Sequence, residues 1–328
     1  MLKLAIDFGM STTKIYKIGS GIVLSEPTCV SVQRDTGEIL SFGAEAKEIL
    51  GKTSDSVIVK FPVFEGDIDD ERLAAALLEY YLSKVVKRGL IDALFCVPCG
   101  CSIASREKYY RVAKSVGISR VSFAESPRLA VLGQDVPLSE SNPVFAIDIG
   151  AGKTSAAVFS LGGVIAGFTL LNVGGHNMDV DIIDCIAEKM EIKIGLQTSE
   201  RLKNAIGSLI PNDNQSFPVN GRNVRTGHPQ AKLVYSGDVL QPIKSYVDTI
   251  VKYAQMLLKK LPAEVSAAMC KNGVYLSGGV CCLAGVADYI AQQLQTEAHL
   301  ASDPVTAVVL GGGRAIGNQT LLHKIRMA

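Results

Sequence analysis

One decapeptide occurs twice in this chain. AIDFGMSTTK at residues 5–14 returns as AIDIGAGKTS at residues 146–155, matching at Ala, Ile, Asp, Gly and a Thr in the same register. Each copy is a β-branched apolar run that ends in an aspartate and a glycine, then enters a second such run, which is the pattern of strand–turn–strand. A chain that builds one acidic, glycine-bearing turn near its start and again near its middle is expected to fold as two related halves. Its 328 residues suffice for two domains of ordinary size.

The composition of the turn suggests a ligand. A tight turn between strands exposes consecutive backbone N–H groups, and glycine lets an anion approach them closely. Ser11, Thr12 and Thr13 add hydroxyl donors at the same place. Together these form a phosphate cradle. Asp7 and Asp148 would repel a phosphate directly, and make sense with a largely hydrated Mg²⁺ between. Two such turns, one per half, would clamp a nucleoside triphosphate and act by positioning and charge stabilisation. No GxxxxGK[ST] loop is present, and GGGRAIG at 311–317 lacks the following strand and acidic residue of a dinucleotide fingerprint.

Other classes are less well supplied. A net charge of +1, the absence of Trp, and only 10 Phe and 10 Tyr argue against a nucleic-acid surface. The N-terminus shows no signal-peptide pattern, so a cytoplasmic location and reduced thiols are expected for the eight cysteines. CVPCGC (Cys96, Cys99, Cys101) and Cys281-Cys282 lack the two spaced pairs of a zinc site and are read as small buried residues, while His176, His228, His299 and His323 are scattered. The longest uncharged stretch, residues 155–178, has the length of a membrane span, but VFSLGGVIAGF around Gly162-Gly163 is a hairpin pattern. IYKIGSGIVL in the first copy is another.

Between these landmarks, Asp69 or Asp70 can cap a helix with Leu73, Leu77, Tyr80, Tyr81 and Val85 on one face. A second long helix fits Val247, Ile250, Val251, Ala254, Leu258 and Leu261, ending near Pro262. Residues 208–237 are polar and turn-rich, as an inserted subdomain or surface loop would be. Strands alternating with helices indicate α/β layers.

GIVLSEPTCVSV, FGAEAKEILGKT, VPCG, RLKNAIGS, SGGV and DPVTAVVLGGGRAIG follow in an order that resembles the actin superfamily, and within it the MreB family of bacterial actins, over nearly the whole chain. The resemblance implies an α/β actin-like ATPase fold: two ribonuclease-H-like domains, each with a mixed five-stranded sheet flanked by helices, and the nucleotide in the interdomain cleft. The domains would be 1–144 plus 305–328, with a small subdomain near 34–66, and 145–304, with another near 181–244. It also implies ATP or ADP with Mg²⁺, homopolymeric protofilaments in cell-shape determination, the inner face of the plasma membrane, and cell-wall or membrane partner proteins.

Carried over by position, the first phosphate turn is Gly9, Met10, Ser11, Thr12 and Thr13, and the second is Gly150, Ala151, Gly152, Lys153 and Thr154. Glu200 and Lys203 take the ribose and base positions, or form a solvent-facing ion pair on one helical turn. Gly278, Gly279, Val280 and Cys281 match the segment along the adenosine, or make a plain strand-to-helix turn. Asp7 and Asp148 face the metal, and the implied catalytic set is Thr13, Glu125, Ser126 and Asp148.

Departures from the family pattern bear on turnover. In AESPRLA, Ser126 stands beside Pro127 where the family has the glutamate that orients water, so hydrolysis is expected to be slow unless Glu125 substitutes. Lys153 brings a positive charge to the second turn, and Met10 replaces a smaller polar residue in the first. The N-terminus lacks an amphipathic helix for lipid; Leu90-Ile91 after Lys87-Arg88 is either a substitute membrane contact or the start of the next buried strand. Rival classes are a sugar kinase, an activase whose cysteines hold a cluster, and a nucleotide-binding scaffold that does not hydrolyse.

Overall fold

The computed structural model describes residues 1–139 and 141–327. The repeated decapeptide seeds two five-stranded sheets of one topology. In the first, Leu2–Phe8 turns back antiparallel into Thr12–Lys17 and Gly21–Pro27, while its other edge pairs in parallel with Ile91–Val97 and then Ile118–Glu125. In the second, Val144–Ile149 turns into Lys153–Ser160 and Gly163–Leu171, and its other edge pairs in parallel with Val274–Ser277 and then Ala298–Leu300. The uncharged stretch is therefore largely the hairpin that its glycines predict. Among the described residues, no helix is long and apolar enough to cross a membrane.

The parallel strands need long crossovers, and helices fill them. Glu71–Val85 starts at Asp70, whose carboxylate accepts from the Leu73 N–H at 3.0 Å, and it buries Leu73, Leu77 and Tyr81. Tyr80 and Val85 lie at the margin of that face. The second long helix runs from Ser236 to Leu258, through Pro242, so it begins well before the periodic stretch that marks it in sequence. Proline cannot donate to the carbonyl one turn back, that of Asp238. Lys189 Nζ at 3.0 Å and Cys185 Sγ at 3.4 Å donate to it instead. A neighbouring helix thus supplies the donors that Pro242 withholds.

The polar text of 208–237 contains a β-hairpin, Ser216–Asn223 against Pro229–Tyr235, in which only Val219 and Val234 are buried. A smaller three-stranded sheet, Val30–Gln33 between Ile39–Phe42 and Val57–Lys60, leads into the helix Gly43–Glu48 on the other side. GGGRAIG lies inside the helix Ala307–Gly317, where side chains would collide: a methyl on Gly311 would sit 1.8 Å from the Leu129 carbonyl oxygen, and one on Gly313 2.4 Å from the Tyr16 ring. Those glycines serve close packing, Gly311 on the helix Ser126–Gly133 and Gly313 on the first sheet.

The membrane-loop expectation is corrected at Ile91. That residue opens a central strand, is 6% exposed and pairs with Leu2, because the sheet continues straight through it. Leu90 alone is exposed, at 63%.

Candidate functional site

The topology puts both turns at the same end of their sheets, on opposite sides of one cleft of about 400 Å³. Asp7, Gly9, Met10, Ser11 and Thr12 line it from the first turn, and Asp148, Gly150, Ala151, Gly152 and Lys153 from the second. The second turn closes on itself through the Gly150 N–H, which donates to the Lys153 carbonyl at 2.9 Å. The helix Gly175–Met190 then starts directly upon it, with Gly175 and His176 N–H groups donating to the carbonyls of Gly150 and Ala151 at 3.0 and 2.8 Å. The two turns touch. A methyl on Gly152 would lie 2.4 Å from Met10 Sδ, so glycine is what admits the methionine between them.

Each aspartate has a partner within its own half. Asp7 sits opposite Lys14 across the hairpin, with Nζ to Oδ2 at 3.4 Å. Asp148 accepts from Ser277 Oγ at 3.1 Å; burial pushes its carboxyl up, and the nearby Lys153 ammonium is the main force opposing that. The donor set suits Mg²⁺ only in part. Two carboxylates are available, and no three Asp, Glu, His or Cys side chains converge among the described residues. A magnesium ion here would take most of its octahedron from phosphate oxygens and water, with Asp7 and Asp148 holding the hydrated shell.

The far end of the cleft is built by the helix Leu196–Ile206. Glu200 and Lys203 both line the cleft, but neither pairs with the other. Lys203 is buried, 2.8 Å from Asp179 Oδ1, and donates to the Gly175 carbonyl at 2.6 Å. Burial pushes the Asp179 carboxyl up to about 6 against the pull of Lys203. Glu200 instead reaches Lys47 of the helix Gly43–Glu48, at 2.9 Å, and the Gln197 side-chain amide donates to the Lys47 carbonyl. These contacts bridge the cleft. Beside them the His176 ring lies 6.3 and 6.4 Å from Phe61 and Phe64 of the opposite half. Burial, then Lys203, holds that imidazole below its ordinary pKa. Gly278, Gly279 and Val280 complete the wall.

Four residues expected in the site are turned away from it; Thr154 is fully buried, and its hydroxyl donates to the Val173 carbonyl at 2.7 Å. Thr13 is fully buried, with Oγ1 2.7 Å from Thr28 Oγ1, because strand alternation sends it inward while Thr12 and Lys14 face the cleft. Cys281 lies in a 3₁₀ turn that aims its Sγ at the Ser277 carbonyl, 3.1 Å away, and its neighbour Cys282 takes the lining position. Glu125 is 7% exposed and accepts from the Gly100 N–H at 3.2 Å, next to the buried Arg128 and the Cys99 thiol, which burial and then Glu125 push up to about 12. Ser126 does line the cleft, but its hydroxyl donates to the Val97 carbonyl at 3.0 Å.

Sequence reading missed Lys14, Asp179 and Lys47. Lys14 closes the quoted decapeptide, and its hairpin register opposite Asp7 was a usable signal. The other two are set by contacts between remote helices and leave no local trace.

The comparisons with known proteins agree with this architecture. A model of the MreB/Mbl protein family matches residues 1–324. Cell shape-determining protein Mbl of Bacillus cereus is 29% identical over 325 residues, 98% of this chain and 97% of its own length. Cell shape-determining protein MreB of Escherichia coli is 30% identical over 322 residues, 95% of this chain and 92% of its own. MreB5 of Spiroplasma citri, 26% identical, superimposes with a TM-score of 0.92 both bound to ADP, over 98% of this chain and 97% of that one, and bound to AMPPNP, over 99% and 98%. Matching sheets, touching turns and a family model that spans all but the last four residues lead to one conclusion: the chain belongs to the MreB/Mbl family.

Proposed function

We propose that the cleft binds ATP and ADP together with Mg²⁺, and that the chain polymerises with copies of itself as a slowly hydrolysing cell-shape actin. The observation that carries this reading is the contact of the two turns through Met10 and Gly152, with a carboxylate behind each. MreB5, which shares the fold over its whole length, binds ADP and AMPPNP. In the proposed pose the backbone N–H groups of residues 9–12 and 151–153 hold the phosphates, while Gly278, Gly279 and Val280 flank the adenosine. Glu200 would reach the ribose after releasing Lys47. Bound Mg²⁺ would neutralise phosphate charge.

Slow turnover follows from what faces the phosphates. Ser126 is no base and its hydroxyl is already engaged, and Glu125 is held by the Gly100 N–H. A scaffold that binds nucleotide without hydrolysing it is the second reading, favoured by the same two contacts. The kinase and activase alternatives have no comparable support. The domain division at 144 and 305 belongs to this proposal, as does lipid contact through Leu90 beside Lys87 and Arg88 at the inner face of the plasma membrane, with envelope proteins as partners.

Sedimentation with ATP–Mg²⁺ against nucleotide-free controls tests polymerisation; a chain that stays monomeric in every state would refute it. Phosphate release from wild type and Ser126→Glu tests the slow site. The variant should hydrolyse about tenfold faster or more. An unchanged rate would remove Ser126 from the water-orienting position.

A further inference from the structure

The floor of the cleft holds two carboxylates and two ammonium groups. Asp7 faces Lys14 at 3.4 Å. Asp148 is buried, and its countercharge is Lys153, from the turn that follows it. Lys153 does not extend into solvent along its own half. A methyl on Gly66 would sit 2.5 Å from Lys153 Cδ and Cε and 2.8 Å from Pro98 Cγ, so the lysine stem crosses the cleft and rests on the opposite turn. Gly66 has φ +83°, and any side chain there would evict the lysine. The ammonium is thereby held at the base of the cleft, where Asp7, Asp148 and Cys96 also line the wall.

A phosphate tail entering a floor of two bare carboxylates needs a divalent cation to offset the repulsion. This floor is already balanced. Resting on the nucleotide reading of the cleft, we propose that Lys153 is a built-in cation for the phosphates, so that this chain holds ADP and ATP without requiring a divalent metal. A lysine carries one charge and no octahedral demand, so it suits a site with too few ligands to cage a metal. Its stem, resting on Gly66, loses little further freedom when the ammonium meets a phosphate oxygen. The two buried ammonium groups of the cleft are committed elsewhere, Lys14 to Asp7 and Lys203 to Asp179 and the Gly175 carbonyl, and cannot take this part.

Titration calorimetry of ADP and AMPPNP, with wild type and Lys153→Met, in Mg²⁺ and in EDTA, tests the proposal. Methionine keeps the apolar stem on Gly66, and a thermal melt checks that the variant folds. Wild-type affinity should change less than about threefold on metal removal, whereas the variant should lose about tenfold or more in EDTA and recover with Mg²⁺. The wild-type pair decides even where the variant fails to fold. A tenfold loss in wild type without metal overturns the built-in cation, and so does a variant that binds as tightly as wild type in EDTA. No binding under any condition overturns the nucleotide reading itself, and this inference with it.

Discussion

The two repeated turns share a backbone and differ in almost everything that crosses the cleft. Thr13 and Thr154, the repeated hydroxyls, both point inward: Oγ1 of the first meets Thr28 Oγ1 at 2.7 Å, and that of the second donates to the Val173 carbonyl at 2.7 Å. Opposite Asp7 in the ladder stands Lys14, a countercharge; opposite Asp148 stands Ser155, whose Oγ accepts from the Cys99 N–H of the other half at 2.8 Å. The second turn takes its cation from Lys153 instead, and Met10 of the first fills the space that Gly152 leaves. Residues common to the copies build the turns. Residues that differ join the halves.

The exits from the parallel strands differ too. Val97 is followed by Pro98, Ser277 by Gly278 at φ +91°, where a methyl would lie 2.2–2.7 Å from the backbone of Ile149. Backbone cannot yield as a side chain can. Gly278→Ala is therefore expected to produce the largest effect, a loss of about 3 kcal/mol or more in denaturant unfolding. A loss below about 1 kcal/mol would mean that this corner is as tolerant as its counterpart at Pro98.

The inward threonines give an intermediate test. Thr13→Val and Thr154→Val should each cost about 1–2 kcal/mol of stability, through an oxygen left unpaired, and leave nucleotide affinity in place. A tenfold weaker affinity in either variant alone would break the equivalence of the two positions. The smallest effect concerns the bridge between the halves. Lys47→Ala removes an ion pair that Glu200 must break to reach the ribose; its side chains are each about one-third exposed, so association of a fluorescent nucleotide should quicken only about two- to fivefold. An unchanged rate would show that the Gln197 amide and the His176–Phe61–Phe64 cluster hold the cleft unaided.

Much of the fold was legible because it is local. Alternation and paired glycines predict both hairpins, and Asp70 marks its helix through one side-chain oxygen. Roughly the first three turns of the longest helix, before Val247, were not read from sequence; they run through Pro242, and the donors that compensate for it lie on a helix some fifty residues earlier. In the site, the glycines, Ser11, Thr12, Met10, Lys153 and both aspartates were found by motif and do line the cleft. Thr13, Thr154, Glu125 and Cys281 do not line the cleft, because a motif orders residues along the chain and says nothing of which way each side chain turns.

By itself the sequence determined that one strand–turn–strand unit is used twice and that each copy ends in a carboxylate, because hydrophobic period and turn chemistry act over a few neighbouring residues. Only the tertiary structure decided which of those residues meet across the cleft. The placing of Lys153 on Gly66, Lys47 on Glu200 and Lys203 on Asp179 depends on how two sheets and their crossover helices pack, and that is a property of the assembled core.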